Sequence, residues 1–249
     1  MKTFQFAAIF LLAVAAISCS KDDDKTYELP APAVSSEIVT ADGFDYKQFY
    51  QESESESTRK GIVILAHGDG GDTNDFNLND QCTALAQQGY VAVTTSYRPI
   101  TGTIENQNSM FKADMEVVIA QVTNDFEIPR GKVIIGGMSR GGNSTFALVL
   151  PNQLGITPIA GIKGVILECS GGDEWKGSAI LYPVAYMSNK NDDVMQVPDT
   201  NVFKNGLQNN NNPGVSGLSG CLIIDSTGHC SDAGFYKLFV VQKVKEWLP

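Results

Sequence analysis

Residues 132–150, KVIIGGMSRGGNSTFALVL, constrain the fold more than any other stretch of this chain. Val133, Ile134 and Ile135 form a short β-branched run that reads as a buried strand. Gly136, Gly137, Met138, Ser139, Arg140, Gly141 and Gly142 follow, and the segment then continues into a helical pattern. Gly137-Met138-Ser139-Arg140-Gly141 is G-x-S-x-G, the strand-to-helix elbow that raises a serine nucleophile. The residue types follow from sterics. A serine on so sharp a turn sits in strained backbone, and a side chain at either flanking position would collide with the neighbouring strand or helix. Glycine at both positions removes that clash, leaving the hydroxyl above the sheet edge with a helix N-terminus pointing at it.

Elsewhere the chain alternates between two periods. Residues 37–50 read as one or two short strands around an Asp42-Gly43 turn, and the charged run 51–60 as a hairpin loop between early strands. GIVILA at 61–66 is continuously apolar, as expected of a strand buried on both faces of a parallel sheet. A helix is predicted over 80–89, a strand over 90–97, a polar loop over 101–109 and a helix over 110–126. Beyond the elbow the pattern predicts strands over 162–167 and 182–187 and a helix over 198–207. An asparagine- and glycine-rich loop over 208–220, a strand over 221–225 and an amphipathic helix over 234–248 complete the chain. Strand–helix alternation from residue 61 onward predicts an α/β fold, a mostly parallel central sheet with helices on both faces. The segments between strands are too short for a large cap domain. A length of 249 residues with 43% hydrophobic and 18% charged residues fits one globular domain or at most two small ones. A net charge of −10 excludes nucleic acid as the expected partner, because phosphate binding needs a positive surface.

A serine hydroxyl attacks at neutral pH only with a base in hydrogen-bond reach and a third group orienting that base. The chain has two histidines. His229, in Ser226-Thr227-Gly228-His229-Cys230 beyond the last strand, hangs from the carboxyl edge of the sheet, the edge that carries the elbow, and is the candidate base. The candidate acid is Asp192, after the 182–187 strand, with Val194 and Val197 available to anchor a loop that turns it inward. Asp193 is the neighbouring alternative, and Asp173 and Glu174 are outside ones. Backbone N–H groups must face the developing oxyanion. One is that of Arg140; the other is expected from His67-Gly68-Asp69-Gly70-Gly71, at Asp69 first and Gly70 second, with His67 bracing the turn. This glycine-rich turn lacks the Gly-Lys-Ser/Thr of a phosphate loop. No cysteine or histidine spacing points to a metal, and no cofactor is implied.

The N-terminus reads as a segment to be removed before folding. Met1-Lys2, an apolar run over 4–17 and Ala16-Ile17-Ser18-Cys19 form a secretory signal peptide over 1–18 whose end resembles a bacterial lipobox. That resemblance implies lipid on Cys19, a membrane anchor, and a tether over 19–36 ahead of a catalytic domain over 37–249. Ser20-Lys21-Asp22-Asp23-Asp24-Lys25 resembles the acidic export signal of surface lipoproteins in the Bacteroidota, implying the outer-membrane surface of a Gram-negative cell. In such an oxidising compartment Cys82, Cys169, Cys221 and Cys230 are free to form disulfides. Cys221 and Cys230 are close in sequence, and whether they pair is left open.

HGDGG after a buried strand, GMSRG after a later one, an aspartate pair after another and Gly228-His229 after the last together resemble the α/β-hydrolase superfamily. The likeness spans about residues 37–249, and the order serine, aspartate, histidine matches that superfamily. The compact form resembles its dienelactone-hydrolase-like, carboxylesterase, lipase and cutinase-type members. The resemblance implies a Ser139–Asp192–His229 triad and cleavage of a carboxylic ester, small or polymer-linked, through an acyl-enzyme. A glycan deacylase or peptidase would use the same triad, and a binding protein that has lost activity would keep the same fold. The chain departs from the pattern in having HGDGG rather than HGGG, and in lacking the glycine that often precedes the acid.

Overall fold

The run IVILA becomes β3 (Ile62–Ala66), and all five of its residues are buried. It lies between two parallel neighbours, β4 (Val91–Thr95) and β5 (Val133–Met138), each in register with it. Both faces of this strand are therefore covered, which is why its pattern does not alternate. The computed structural model describes residues 31–53, 55–99, 102–151, 155–194 and 200–249, with side chains left out at Glu56, Thr200 and Asn201. The expected signal peptide, lipid-bearing Cys19, most of the tether and the anchoring Val197 lie outside the described residues.

Ahead of β3, β1 (Ser35–Ala41) and β2 (Phe44–Tyr50) form a hairpin whose two-residue turn has Asp42 and Gly43 both at positive φ, as a twist-matched turn requires. β2 then pairs antiparallel with β4, not with β3. Residues 51–60 are accordingly a crossover rather than the hairpin loop expected. After the elbow come β6 (Gly164–Glu168), β7 (Val184–Asn191) and β8 (Gly220–Thr227), all parallel, giving the sheet order β1-β2-β4-β3-β5-β6-β7-β8.

Seven helices flank the sheet among the described residues. α1 (Phe76–Ala86) and α7 (Ala233–Trp247) cover one face through Leu78, Leu85, Val240 and Trp247. α2 (Ile104–Asp125), α3 (Arg140–Val149) and α5 (Thr200–Gln208) cover the other through Phe111, Val118, Phe146 and Phe203. Burial of each such side chain stabilises the fold by roughly 1.5–3 kcal/mol. α4 (Glu174–Ala179) and α6 (Pro213–Leu218) are short.

Several boundaries differ from expectation for one physical reason: caps and solvated first turns carry no apolar periodicity. α2 starts at Ile104, with Thr103 accepting from the Asn106 N–H, so most of the expected polar loop over 101–109 is helix. α1 starts at Phe76 because the Asp75 carboxylate caps the N–H groups of Asn77 and Leu78. α6 lies inside the expected asparagine-rich loop, capped by Asn212 and opened by Pro213 at its first turn. Between strands no described segment is large enough to form a cap domain.

The strand order reverses at β3: the chain passes from β3 to β4 on one side, then returns across it to β5 on the other. The loops after β3 and β5 therefore leave the sheet side by side at its carboxyl edge. Such a reversal point opens a crevice where ligands bind in α/β sheets.

Candidate active site

Ser139 stands at that crevice with φ 52° and ψ −114°, left-handed backbone that a residue with a Cβ rarely adopts. The strain is held by close packing around it. A Cβ on Gly137 would come within 2.6 Å of the Gly141 carbonyl carbon, and one on Gly141 would overlap the carbonyl oxygens of Ala66 and His67. The Ser139 N–H donates to the Glu168 carbonyl at 2.7 Å, tying the elbow to the end of β6.

His229 and Asp192 reach Ser139 from two other loops. His229 Nε2 lies 2.7 Å from Ser139 Oγ, and its Nδ1 lies 2.7 Å from Asp192 Oδ2. An ionised carboxylate only accepts, so Nδ1 carries the proton and donates to Asp192, leaving the Nε2 lone pair for the serine hydroxyl. The Asp192 side chain is 1% exposed and that of His229 19%, so the pair is largely withdrawn from water. Asp192 Oδ1 also accepts from the Val194 N–H at 2.9 Å. β7 runs four residues beyond its expected end, to Asn191, and delivers Asp192 immediately after the strand. Asp193 is exposed, and Asp173 caps α4 by accepting from the Lys176 N–H; the carboxylate bonded to the imidazole is that of Asp192.

The turn after β3 lies against the elbow. A Cβ on Gly68 would sit 3.3 Å from Ser139 Cβ. Arg140 is the first residue of α3, so its N–H has no acceptor within the helix. Among the described residues the Asp69 N–H has no backbone acceptor either. The Arg140 guanidinium closes onto the Asp69 carboxylate at 2.8 Å, linking the two residues expected to donate to an oxyanion. His67 is buried, its Nδ1 donating to the Gly68 carbonyl at 2.6 Å and its ring stacked on Tyr97 at 4.5 Å. Burial pushes the Tyr97 hydroxyl up to about 12, so it stays protonated and donates to the His67 carbonyl. An open cleft of about 430 Å³ is lined by Gly68, Asp69, Asp75, Met138, Ser139 and His229 among others.

Three supports of this site have no motif in the sequence. Asn189, buried within β7, donates through Nδ2 to the Gly228 carbonyl and to Ser231 Oγ, both at 2.8 Å, and accepts from the Tyr236 hydroxyl at 2.6 Å. Two polar residues, Ser188 and Asn189, at the end of an apolar strand were the available signal. Cys169 and Cys230 form a disulfide, so the partner of Cys230 is not the nearby Cys221. Glu168 is buried beneath the elbow, where Oε2 accepts from Gln81 Nε2 at 2.8 Å. Burial raises its carboxyl to about 7, with Asp75 adding to the effect and Gln81 opposing it. Among the described residues the remaining thiols are poor nucleophiles: burial pushes Cys221 up to about 11 and Cys82 well above its ordinary value. No group of three or more metal-ligating side chains is assembled among the described residues, and none of their helices is long and apolar enough to cross a membrane.

No family model matches this chain, and no curated protein matches it in sequence. Solved structures do match it. A dienelactone hydrolase-like promiscuous phosphotriesterase from metagenomic libraries superposes with a TM-score of 0.67 at 12% identity, over 87% of this chain and 100% of that one. Esterase B from Lactobacillus rhamnosis gives 0.61 at 15% identity, over 86% of each chain. A thermophilic esterase from the Planctomycetes species Thermogutta terrifontis gives 0.62 at 14% identity, over 86% of this chain and 91% of that one. The chain thus has the α/β-hydrolase fold, with a mostly parallel eight-stranded sheet, helices on both faces and no cap domain evident.

Proposed function

We propose that this protein is a cofactor-free serine hydrolase that cleaves carboxylic esters, small or polymer-linked, through an acyl-enzyme on Ser139. The observation that carries this reading is the continuous relay from Ser139 Oγ through His229 to the buried Asp192 carboxylate, with both contacts at 2.7 Å. His229 Nε2 takes the hydroxyl proton as Oγ attacks the acyl carbon. Asp192 holds the ring in the tautomer that can accept, and stabilises the imidazolium that forms. The N–H groups of Arg140 and Asp69 receive the oxyanion, a stabilisation of about 2.7–4 kcal/mol per donor. The imidazolium then protonates the departing alkoxide, and water repeats the sequence in reverse to free the acid. The esterases and dienelactone-hydrolase-like proteins among the structural neighbours support this chemistry by analogy of fold.

Ser139→Ala is expected to abolish turnover of a short-chain nitrophenyl ester and covalent labelling by a fluorophosphonate, with the thermal unfolding midpoint unchanged. Turnover that survives the substitution would remove Ser139 from the mechanism.

A further inference from the structure

His229 stands between two residues of positive φ. Gly228 and Cys230, the residues on either side of it, have φ 93° and 54°. At Cys230 this left-handed backbone is disfavoured, because the residue has a Cβ, and it persists only where surrounding structure imposes it. The direction of the imidazole thus depends on whatever holds these two positions. Asn189 holds the ends of the loop, at Gly228 and Ser231. Residue 230, adjacent to the imidazole, is held covalently by Cys169, 61 residues away in sequence.

Cys169 is a firm anchor. It is fully buried, directly follows β6, and donates its N–H to the Met187 carbonyl at 2.8 Å. Its own φ is 46°, so both half-cystines sit in backbone that persists only where surrounding structure imposes it. The preceding residue, Glu168, accepts the Ser139 N–H. One strand end is thereby bonded to the nucleophile's backbone and, through sulfur, to the residue beside the base. Cys230 also lines the open cleft with Ser139 and His229, so this half-cystine borders the substrate side while Cys169 is buried.

We propose that the Cys169–Cys230 disulfide is the positioning element that holds His229 against Ser139, and that a dithiol entering through the cleft switches the site off. A reductant thiolate attacks Cys230 Sγ, forming a mixed disulfide and expelling Cys169 Sγ as a thiolate that takes up a proton. The second thiol of the reductant displaces Cys230 Sγ, which is protonated in turn, and the reductant leaves as its own cyclic disulfide. The effect on turnover rests on the serine-hydrolase reading above. The effect on the imidazole does not.

The test uses the full-length chain, oxidised and then reduced with a dithiol, with alkylation of Cys169 and Cys230 followed by mass spectrometry. Turnover of a nitrophenyl ester is expected to fall at least about tenfold in kcat on reduction, with KM within about twofold, and to return on reoxidation. A Cys169→Ser/Cys230→Ser double variant is expected to show the lowered kcat permanently and to ignore the reductant. Because the chain has only two histidines, imidazole NMR separates them: the His229 signal should move toward that of a solvated ring while His67 stays. Full turnover in protein whose two cysteines are both alkylated overturns the proposal, as does a fall in kcat accompanied by an equal change at His67, which would signal general loosening. If a fluorophosphonate fails to label even the oxidised chain, the hydrolase reading falls. The shift or constancy of the His229 signal then decides the positioning role by itself.

Discussion

All six residues of β5 are buried, and the elbow that follows is locked by backbone packed so closely that no side chain fits at Gly137 or Gly141. β8 at the sheet edge is half-buried along most of its length, and the loop beyond it is held by ties from elsewhere: Asn189 on β7 and Cys169 after β6. The two regions meet at the hydrogen bond between Ser139 and His229. The nucleophile is thus fixed by exclusion, with contacts close to it in sequence or on the adjoining strand. The base is fixed by attachment, through contacts 39 to 61 residues away. Exclusion cannot be removed without disturbing the core. Attachments can be cut one at a time.

That contrast predicts different failures. Gly141→Ala forces a Cβ onto the carbonyl oxygens of Ala66 and His67, which are backbone and cannot step aside. Its expected cost is about 3 kcal/mol, the upper end for overpacking, together with loss of activity. A thermal unfolding midpoint within a degree or two of the parent would show that the elbow is not held by exclusion. Asn189→Ala cuts the attachment side. It removes the donor to Gly228 and Ser231 and leaves the Tyr236 hydroxyl without its acceptor. Displacement of His229 is expected to lower kcat by about 10²-fold, with a stability loss of about 1–3 kcal/mol that leaves the fold intact at 25 °C. Unchanged kcat in the folded variant would mean that this tie does not set the imidazole.

The smallest effect concerns Glu168, which sits where the two regions join. Its folded-state carboxyl is raised by burial from an ordinary 4.5 to about 7, so the fold favours the protonated form. The stability it contributes is full below about pH 4.5 and is lost as the pH rises through about 7. Glu168→Gln keeps the shape without the ionisation. Its unfolding midpoint is therefore expected to rise relative to the parent between pH 5 and pH 8. Parallel curves for the two proteins across that range would contradict a buried neutral acid at this position.

The fold was largely legible because its main signals are local. Continuous apolar runs marked β3 and β5, and G-x-S-x-G between a strand pattern and a helix pattern marked the elbow. Ser139 and His229 stood out through a motif and through scarcity. Sequence favours Asp192 over Asp193 only through the valines that follow, because the choice depends on which side of β7 faces inward and on where the strand stops. The helix starts at Phe76 and Ile104 were hidden because polar caps and exposed first turns resemble loops. Asn189 and Glu168 carry no motif. Their importance comes from being polar and buried, and burial is a property of packing.

The amino-acid order alone determined the alternation of strands and helices, the sharp turn at Ser139 and the chain order of serine, aspartate and histidine, since each is written in neighbouring residues. Tertiary structure decided which aspartate meets the imidazole, that β2 pairs with β4, and that Cys230 joins Cys169 rather than Cys221. The reason is physical. These pairings bring together groups far apart in the chain, and only the packed sheet sets the distances over which a hydrogen bond or a disulfide can form.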